Sequence, residues 1–346
     1  MKVLLAAGGT GGHVFPAQAL ADELVRRGVE VVWAGRADSL ESRVAASLGL
    51  RFEPVPSAGF SGKSIGRKLG WLLVMTRGVV RSLRLLRLEA ADCVVAAGGF
   101  TGAAPLLASR SMGIPFFLME QNAIPGRVTR MFAADAEECY LAFPLATALT
   151  ARCTVAGSPL RPGVVTEREH DGRTVLVLGG SGGARSLNLA ALDVAKRLDA
   201  YRFIVLTGRR DFEMVKSHEV PENCEPVEFT EHPEELYRQA TIAVSRAGGM
   251  VLSELVANGI PAILIPFPYA TDSHQDANAA HVASLGAAIT LGQDRLPDLG
   301  SVIQELMENK ERREQMAKAA LSAARPDAAA SIAGAIVERI KGCSAA

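Results

Sequence analysis

The sequence has little cysteine, no net charge and no long unbroken apolar run, and each shortage removes a class of function. The five cysteines (Cys93, Cys139, Cys153, Cys224 and Cys343) are odd in number, scattered, and nowhere spaced as CxxC. That pattern argues against structural disulfides or a zinc site and for a reducing, cytosolic compartment. Lys plus Arg and Asp plus Glu both total 37, so the overall charge carries no footprint of a nucleic-acid partner. The uncharged stretch from Cys93 to Ser109 is broken by three glycines and a proline, and no segment reads as a transmembrane helix. The opening apolar run stops in glycines after Ala7, too short for the core of a signal peptide. A strict dinucleotide fingerprint is also missing. Counting G-x-G-x-x-G from Gly9 reaches Gly11 and then Val14, and Trp33-Ala34-Gly35-Arg36 offers no acid for a nicotinamide ribose. No acidic pair flanks the glycine loops in a way that suggests a bound metal, and no cofactor is implied.

What is present is glycine in loops. Val3-Leu4-Leu5-Ala6-Ala7 runs into Gly8-Gly9-Thr10-Gly11-Gly12-His13 and then into an amphipathic stretch, Ala17 to Arg27. A strand, a glycine loop and a helix follow from that pattern. The N–H groups at such a helix start favour an anionic ligand, and His13 closes the loop with a titratable ring. At 346 residues and 49% hydrophobic, the chain is long enough for two packed domains. Its second half repeats the first. Thr174 to Leu178 leads into Gly179-Gly180-Ser181-Gly182-Gly183. Gly248 echoes Gly98, and Gly259-Ile260-Pro261 echoes Gly113-Ile114-Pro115. Strands alternating with helices predict two Rossmann-like α/β domains, 1–160 and 161–327, with a ligand in the cleft between them. A terminal helix, 328–346, should pack back on the first domain.

Several of these stretches together closely resemble the MurG-type enzymes of glycosyltransferase family 28. They are Gly8 to Pro16, Glu120-Gln121-Asn122, Gly179-Gly180-Ser181, Ser245-Arg246-Ala247-Gly248 through Glu254, Pro266-Phe267-Pro268 and His274 to Ala279. The resemblance covers nearly the whole chain in order. It implies the glycosyltransferase B fold and inverting transfer of N-acetylglucosamine (GlcNAc) from UDP-GlcNAc. The acceptor would be undecaprenyl-pyrophosphoryl-MurNAc-pentapeptide, in peptidoglycan synthesis. The alternative is another UDP-sugar enzyme of this fold, a glycolipid glycosyltransferase or a UDP-GlcNAc epimerase. His13 becomes the candidate base, or a clamp on the acceptor diphosphate. The candidate UDP-GlcNAc contacts are Thr10, Gly11, Gly12, Asn122, Arg161, Ser181, Thr230, Gly249, Met250, Glu254, His274 and Gln275. Among them Glu254 takes the ribose hydroxyls, Gln275 and Asn122 the sugar, and Thr230 the uracil side. Arg161, Ser181 and the helix start after Gly248 suit a departing diphosphate. Three residues depart from the family pattern: Gly182 where glutamine is usual, Phe100 where tyrosine often stands, and Val251 where a hydroxyl residue often faces phosphate.

The stretch from Gly66 to Leu88 carries Arg67, Lys68, Arg77, Arg81, Arg84 and Arg87 among Trp71 and many aliphatic residues, with no acid before Glu89. A basic amphipathic helix of this kind suits an anionic membrane surface, and Arg127, Arg130, Met131 and Phe132 would extend it. The expected location is therefore peripheral, on the cytoplasmic face of the inner membrane.

Overall fold

A computed structural model describes residues 1–59, 65–180 and 183–344, with backbone alone at 65–67 and 343–344. The chain divides into two units, Met1–Arg161 with Asp327–Ala346, and Pro162–Pro326.

The first unit runs β1 (Lys2–Ala6), α1 (Gly11–Arg26), β2 (Glu30–Gly35), α2 (Leu40–Ser47), β3 (Arg51–Pro54), α3 (Ile65–Glu89), β4 (Cys93–Ala96), α4 (Ala103–Met112), β5 (Phe116–Glu120), α5 (Arg127–Phe132), β6 (Glu138–Leu141) and β7 (Cys153–Val155). All strand pairs are parallel, in the order β3-β2-β1-β4-β5-β6-β7. Successive side chains of a strand point to opposite faces, and here both faces are apolar because both are covered. Val3, Leu5, Val31, Trp33, Val95, Phe117 and Met119 join one core with α1. Their neighbours Leu4, Ala6, Val32, Ala34, Val94, Phe116 and Leu118 join another with α3 and α4. The sequence pattern starts α1 at Ala17, after Pro16, whereas the helix begins at Gly11 and carries Pro16 inside. A proline there removes the backbone bond to Gly12, close enough to the helix start to be tolerated. On α3, Gly78 is required by close approach, since a Cβ there would lie 2.3 Å from the Pro56 carbonyl oxygen.

The second unit runs β8 (Thr174–Leu178), α6 (Arg185–Arg197), β9 (Arg202–Leu206), α7 (Phe212–Lys216), β10 (Cys224–Val227), α8 (Pro233–Gln239), β11 (Ile242–Ser245), α9 (Gly249–Ala257), β12 (Ala262–Leu264), α10 (His274–Ser284), β13 (Ala288–Thr290), α11 (Leu299–Glu308) and α12 (Lys310–Ala323). Its parallel sheet is ordered β10-β9-β8-β11-β12-β13. The last helix, α13 (Ala328–Ser344), buries Ile332, Ala333, Ile336 and Ile340 in the first unit's core beside α1. Arg27 also donates to the Ala330 carbonyl from α1's end.

The repeats seen in the sequence occupy equivalent places in both sheets. Gly8 follows β1 as Gly179 follows β8, and Gly98 follows β4 as Gly248 follows β11. In each sheet those two strands are neighbours at the point where strand order reverses. Ligands of doubly wound sheets bind there, outside the carboxyl ends of the strands.

Candidate functional site

In the first unit, the loops after β1 and β4 meet at His13. Gly98 and Gly99 have φ of +80° and +73°, a left-handed conformation that glycine adopts without penalty. A Cβ at Gly98 would lie 2.8 Å from His13 Cδ2, and one at Gly99 would lie 3.2 Å from Nδ1. Two glycines therefore let the second loop lie against the imidazole. The half-buried ring sits on the first turn of α1, with Nδ1 3.5 Å from Thr10 Oγ1. Thr10 is the extended N-cap of α1, and its side chain makes no cap hydrogen bond. Its carbonyl accepts from His13 N and Val14 N. No acid lies in the first turn, so the helix's positive end at Gly11 and Gly12 is suited to an anion.

Asn122 is held by a residue that sequence reasoning quoted without assigning. Glu120, at the end of β5, is buried. Its Oε1 accepts from Asn122 N (3.1 Å) and Asn122 Nδ2 (3.2 Å). Its Oε2 accepts from Gly126 N (2.8 Å) and Thr129 Oγ1 (2.7 Å). Four donors on one carboxylate fix the loop that carries Asn122. The available signal was an acid ending a fully apolar strand. Arg161, grouped with the second domain on sequence, belongs to the first unit. Its guanidinium carbon lies 4.4 Å from the centre of the Phe15 ring on α1, in cation–π contact. Phe100 likewise underlies Arg36, at 5.5 Å.

The basic helix α3 exposes an apolar stripe, with Leu69, Leu72 and Leu73 at 64%, 55% and 52% accessibility, followed by Val80 and Leu88. Lys68, Arg77, Arg84 and Arg87 are exposed beside it, and Arg67 lies outside the described side chains. Two expectations change here. Arg81 is bound by Glu53 at 2.6 Å, an acid from β3 that the helix's own sequence does not contain. Trp71 is half-buried, its indole N–H donating to the Ala58 carbonyl at 3.0 Å. On α5, Met131 is exposed but Phe132 is buried against Phe116, so it belongs to the core rather than to the patch.

In the second unit, Gly248 is the extended N-cap of α9, with neither a side-chain cap nor an acid in the first turn. Gly249 and Met250 are buried at that helix start. Gln275 Oε1 accepts from Ala247 N (3.2 Å) and Phe267 N (3.0 Å), while Asn278 Nδ2 donates to the Ala247 carbonyl (3.0 Å). Ala247 is thus held at both its N–H and its carbonyl, and the Gln275 amide nitrogen is the end it can offer a ligand. His274 Nδ1 lies 2.8 Å from the Thr271 carbonyl, which requires the proton on Nδ1. Asp272 and Ser273 just before it have φ of 53° and 51°, a strained conformation for non-glycine residues. Thr230 Oγ1 accepts from His232 N. The neighbouring Phe229 ring lies 4.4 Å from the Arg209 guanidinium. Glu254, on α9, is buried and accepts from Tyr237 at 2.6 Å. Arg246 is a second residue that sequence reasoning left without a role. It donates to the Ile265 and Pro266 carbonyls, Ser186 Oγ and Gln293 Oε1, and burial lowers its pKa. Ser181 and Gly182 lie outside the described residues.

Comparison with known proteins agrees with this layout. The glycosyltransferase family 28 N-terminal domain matches residues 3–141, and its C-terminal domain matches residues 174–332. A relative from Methylococcus capsulatus, named UDP-N-acetylglucosamine--N-acetylmuramyl-(pentapeptide) pyrophosphoryl-undecaprenol N-acetylglucosamine transferase, is 39% identical, over 97% of this chain and 98% of its own length. A relative of the same name from Myxococcus xanthus is 36% identical, over 98% and 93%. The crystal structure of MurG from Acinetobacter baumannii is 26% identical, with a TM-score of 0.79 over 97% of this chain and 99% of that one. The two-unit architecture is the glycosyltransferase B fold, and the chain belongs to glycosyltransferase family 28.

Proposed function

We infer that this chain is a hexosyltransferase that moves GlcNAc from UDP-GlcNAc to the 4-hydroxyl of MurNAc in undecaprenyl-pyrophosphoryl-MurNAc-pentapeptide, inverting the anomeric carbon. The names of full-length relatives support the donor and the acceptor. The observation that carries the chemistry is the seat of His13 against Gly98 and Gly99, where strand order reverses in the first sheet. As the 4-hydroxyl oxygen attacks the anomeric carbon, its proton passes to a base and UDP leaves with the bonding electrons. His13 is the candidate base. Thr10, Gly11 and Gly12 offer the uncapped start of α1 to anionic oxygens, and Arg161 and Asn122 add a cation and an amide from the same unit.

The second unit takes the donor. The start of α9 at Gly249 and Met250 faces the diphosphate, with Ser181 as a further hydroxyl. The groups that hold Arg246 are carbonyls, a hydroxyl and an amide oxygen, all neutral, so its charge remains to favour an anion nearby. A helix terminus contributes roughly 0.3–2 kcal/mol and a hydrogen bond to a charged group roughly 1.5–3 kcal/mol. Several such groups together suffice to hold a departing diphosphate. Thr230 lies on the uracil side, Glu254 takes the ribose, and Gln275 with His274 reads the sugar.

No described helix is long and apolar enough to cross a membrane. The exposed apolar and basic stripe of α3 supports peripheral attachment on the cytoplasmic face, where the lipid-linked acceptor would be met.

The test is UDP release from UDP-GlcNAc with and without a lipid-linked muramyl-pentapeptide. Release that depends on the acceptor is expected; acceptor-independent turnover would favour an epimerase or hydrolase instead. Within the donor site, Glu254→Ala should weaken UDP and UDP-GlcNAc alike, by about tenfold. Gln275→Ala should weaken UDP-GlcNAc while sparing UDP. Calorimetric titration of both ligands checks this division, and equal effects of the two substitutions on UDP would contradict it.

A further inference from the structure

We propose that Tyr237 is a positioning residue for nucleoside recognition, setting the Glu254 carboxylate to receive the ribose hydroxyls of the donor. The proposal rests on the assignment of Glu254 to ribose. The observation is a phenol–carboxylate pair withdrawn from water. Tyr237 Oη lies 2.6 Å from Glu254 Oε2, with Tyr237 2% and Glu254 5% accessible.

A short bond from a hydroxyl to an ionised acceptor is among the stronger hydrogen bonds. A carboxylate has two oxygens and about four acceptor sites, more than one phenol fills. The bond also restricts the Glu254 torsions before the donor arrives, reducing the ordering that binding would otherwise require. The connectivity suits the role. Thr230 Oγ1 accepts from His232 N immediately before α8, and α8 carries Tyr237 to Glu254 on α9. One short helix thus joins the uracil-side segment to the ribose-side acid. A pair kept only for packing would be better served by apolar groups, because burying a phenol and a carboxylate carries a desolvation cost.

The experiment measures binding of UDP, 2′-deoxy-UDP and 3′-deoxy-UDP to wild type, Tyr237→Phe, Glu254→Ala and Glu254→Gln, with KM and kcat for UDP-GlcNAc. Tyr237→Phe keeps the ring and removes only the donor. It should weaken UDP by about tenfold, raise KM in step and leave kcat unchanged. Its preference for UDP over the deoxy analogues should shrink toward that of Glu254→Ala. Glu254→Gln still accepts from Tyr237 and should keep more of that preference than Glu254→Ala. The proposal is overturned, and the ribose assignment kept, if Tyr237→Phe retains the full wild-type preference while Glu254→Ala loses it. Equal losses in Glu254→Gln and Glu254→Ala also overturn it. Retention of the preference by Glu254→Ala removes the ribose assignment itself, and the role of Tyr237 with it.

Discussion

Replacing His13 with alanine is expected to lower turnover by at least ~10²-fold, within the range typical for a positioned base, while leaving UDP affinity nearly unchanged. The ring is half-buried on the first turn of α1, against Gly98 and Gly99. Alanine is a strong helix former, so α1 should persist without the imidazole. Thr230, Glu254 and the start of α9, proposed to hold UDP itself, lie in the second unit, which is why UDP binding and turnover should separate. The pH profile then assigns the role. A base must be deprotonated to accept the hydroxyl's proton, so activity rises with pH through its pKa. A cationic clamp on diphosphate must be protonated, so activity falls through it. Wild-type turnover should also persist in EDTA, because helix starts and cations are assigned to the leaving diphosphate. Near-normal turnover in the alanine variant would remove His13 from the mechanism. Activity lost in EDTA and restored by Mg²⁺ would make the account of UDP departure incomplete.

The second large effect is expected at the membrane. Arg77, Arg84 and Arg87 are exposed on α3, whereas Arg81 is held by Glu53. Reversing the first three to glutamate should weaken binding to anionic vesicles by more than ~10²-fold, since each basic residue near such a surface contributes about 1 kcal/mol. Arg81 is left in place because its reversal would set two acids against each other and disturb β3. Replacing Leu69, Leu72 and Leu73 with serine should weaken binding in a way that added salt does not reproduce, because that contribution is apolar burial. Both variants should retain activity on a short-chain, water-soluble acceptor. Vesicle sedimentation at low and high salt checks these outcomes. Unchanged sedimentation of the triple reversal at low salt would make the basic face merely solvated.

The architecture was legible because its signals are local. Apolar runs such as Val3 to Ala7 and Thr174 to Leu178 mark strands covered on both faces, and glycines mark where each chain leaves its strand. The repeat of those signals falls at both reversal points, which the strand orders reveal. The start of α1 was misplaced because Pro16 reads as a boundary, although Gly11 and Gly12 already have helical geometry. Candidate site residues could be nominated where they sit in one motif, as at His13 and Glu254. They could not be where the partner is distant in sequence. Tyr237 on α8 meets Glu254 on α9 through a side-chain hydrogen bond between separate elements, and Glu53 reaches Arg81 on α3 from β3. Trp71 looks like a membrane aromatic in its helix, but its indole N–H donates to the Ala58 carbonyl, on the segment before that helix. Arg161 joins the first unit through Phe15, a contact that no spacing announces.

The most direct measurement of the central claim is product analysis. The protein is incubated with UDP-GlcNAc and a lipid-linked muramyl-pentapeptide, and the acceptor is examined by mass spectrometry and proton NMR. The account predicts one added N-acetylhexosamine on the 4-hydroxyl of MurNAc, with β anomeric configuration and one UDP released per product. An acceptor recovered unmodified while UDP-GlcNAc is consumed, or a product with retained α configuration, would contradict it.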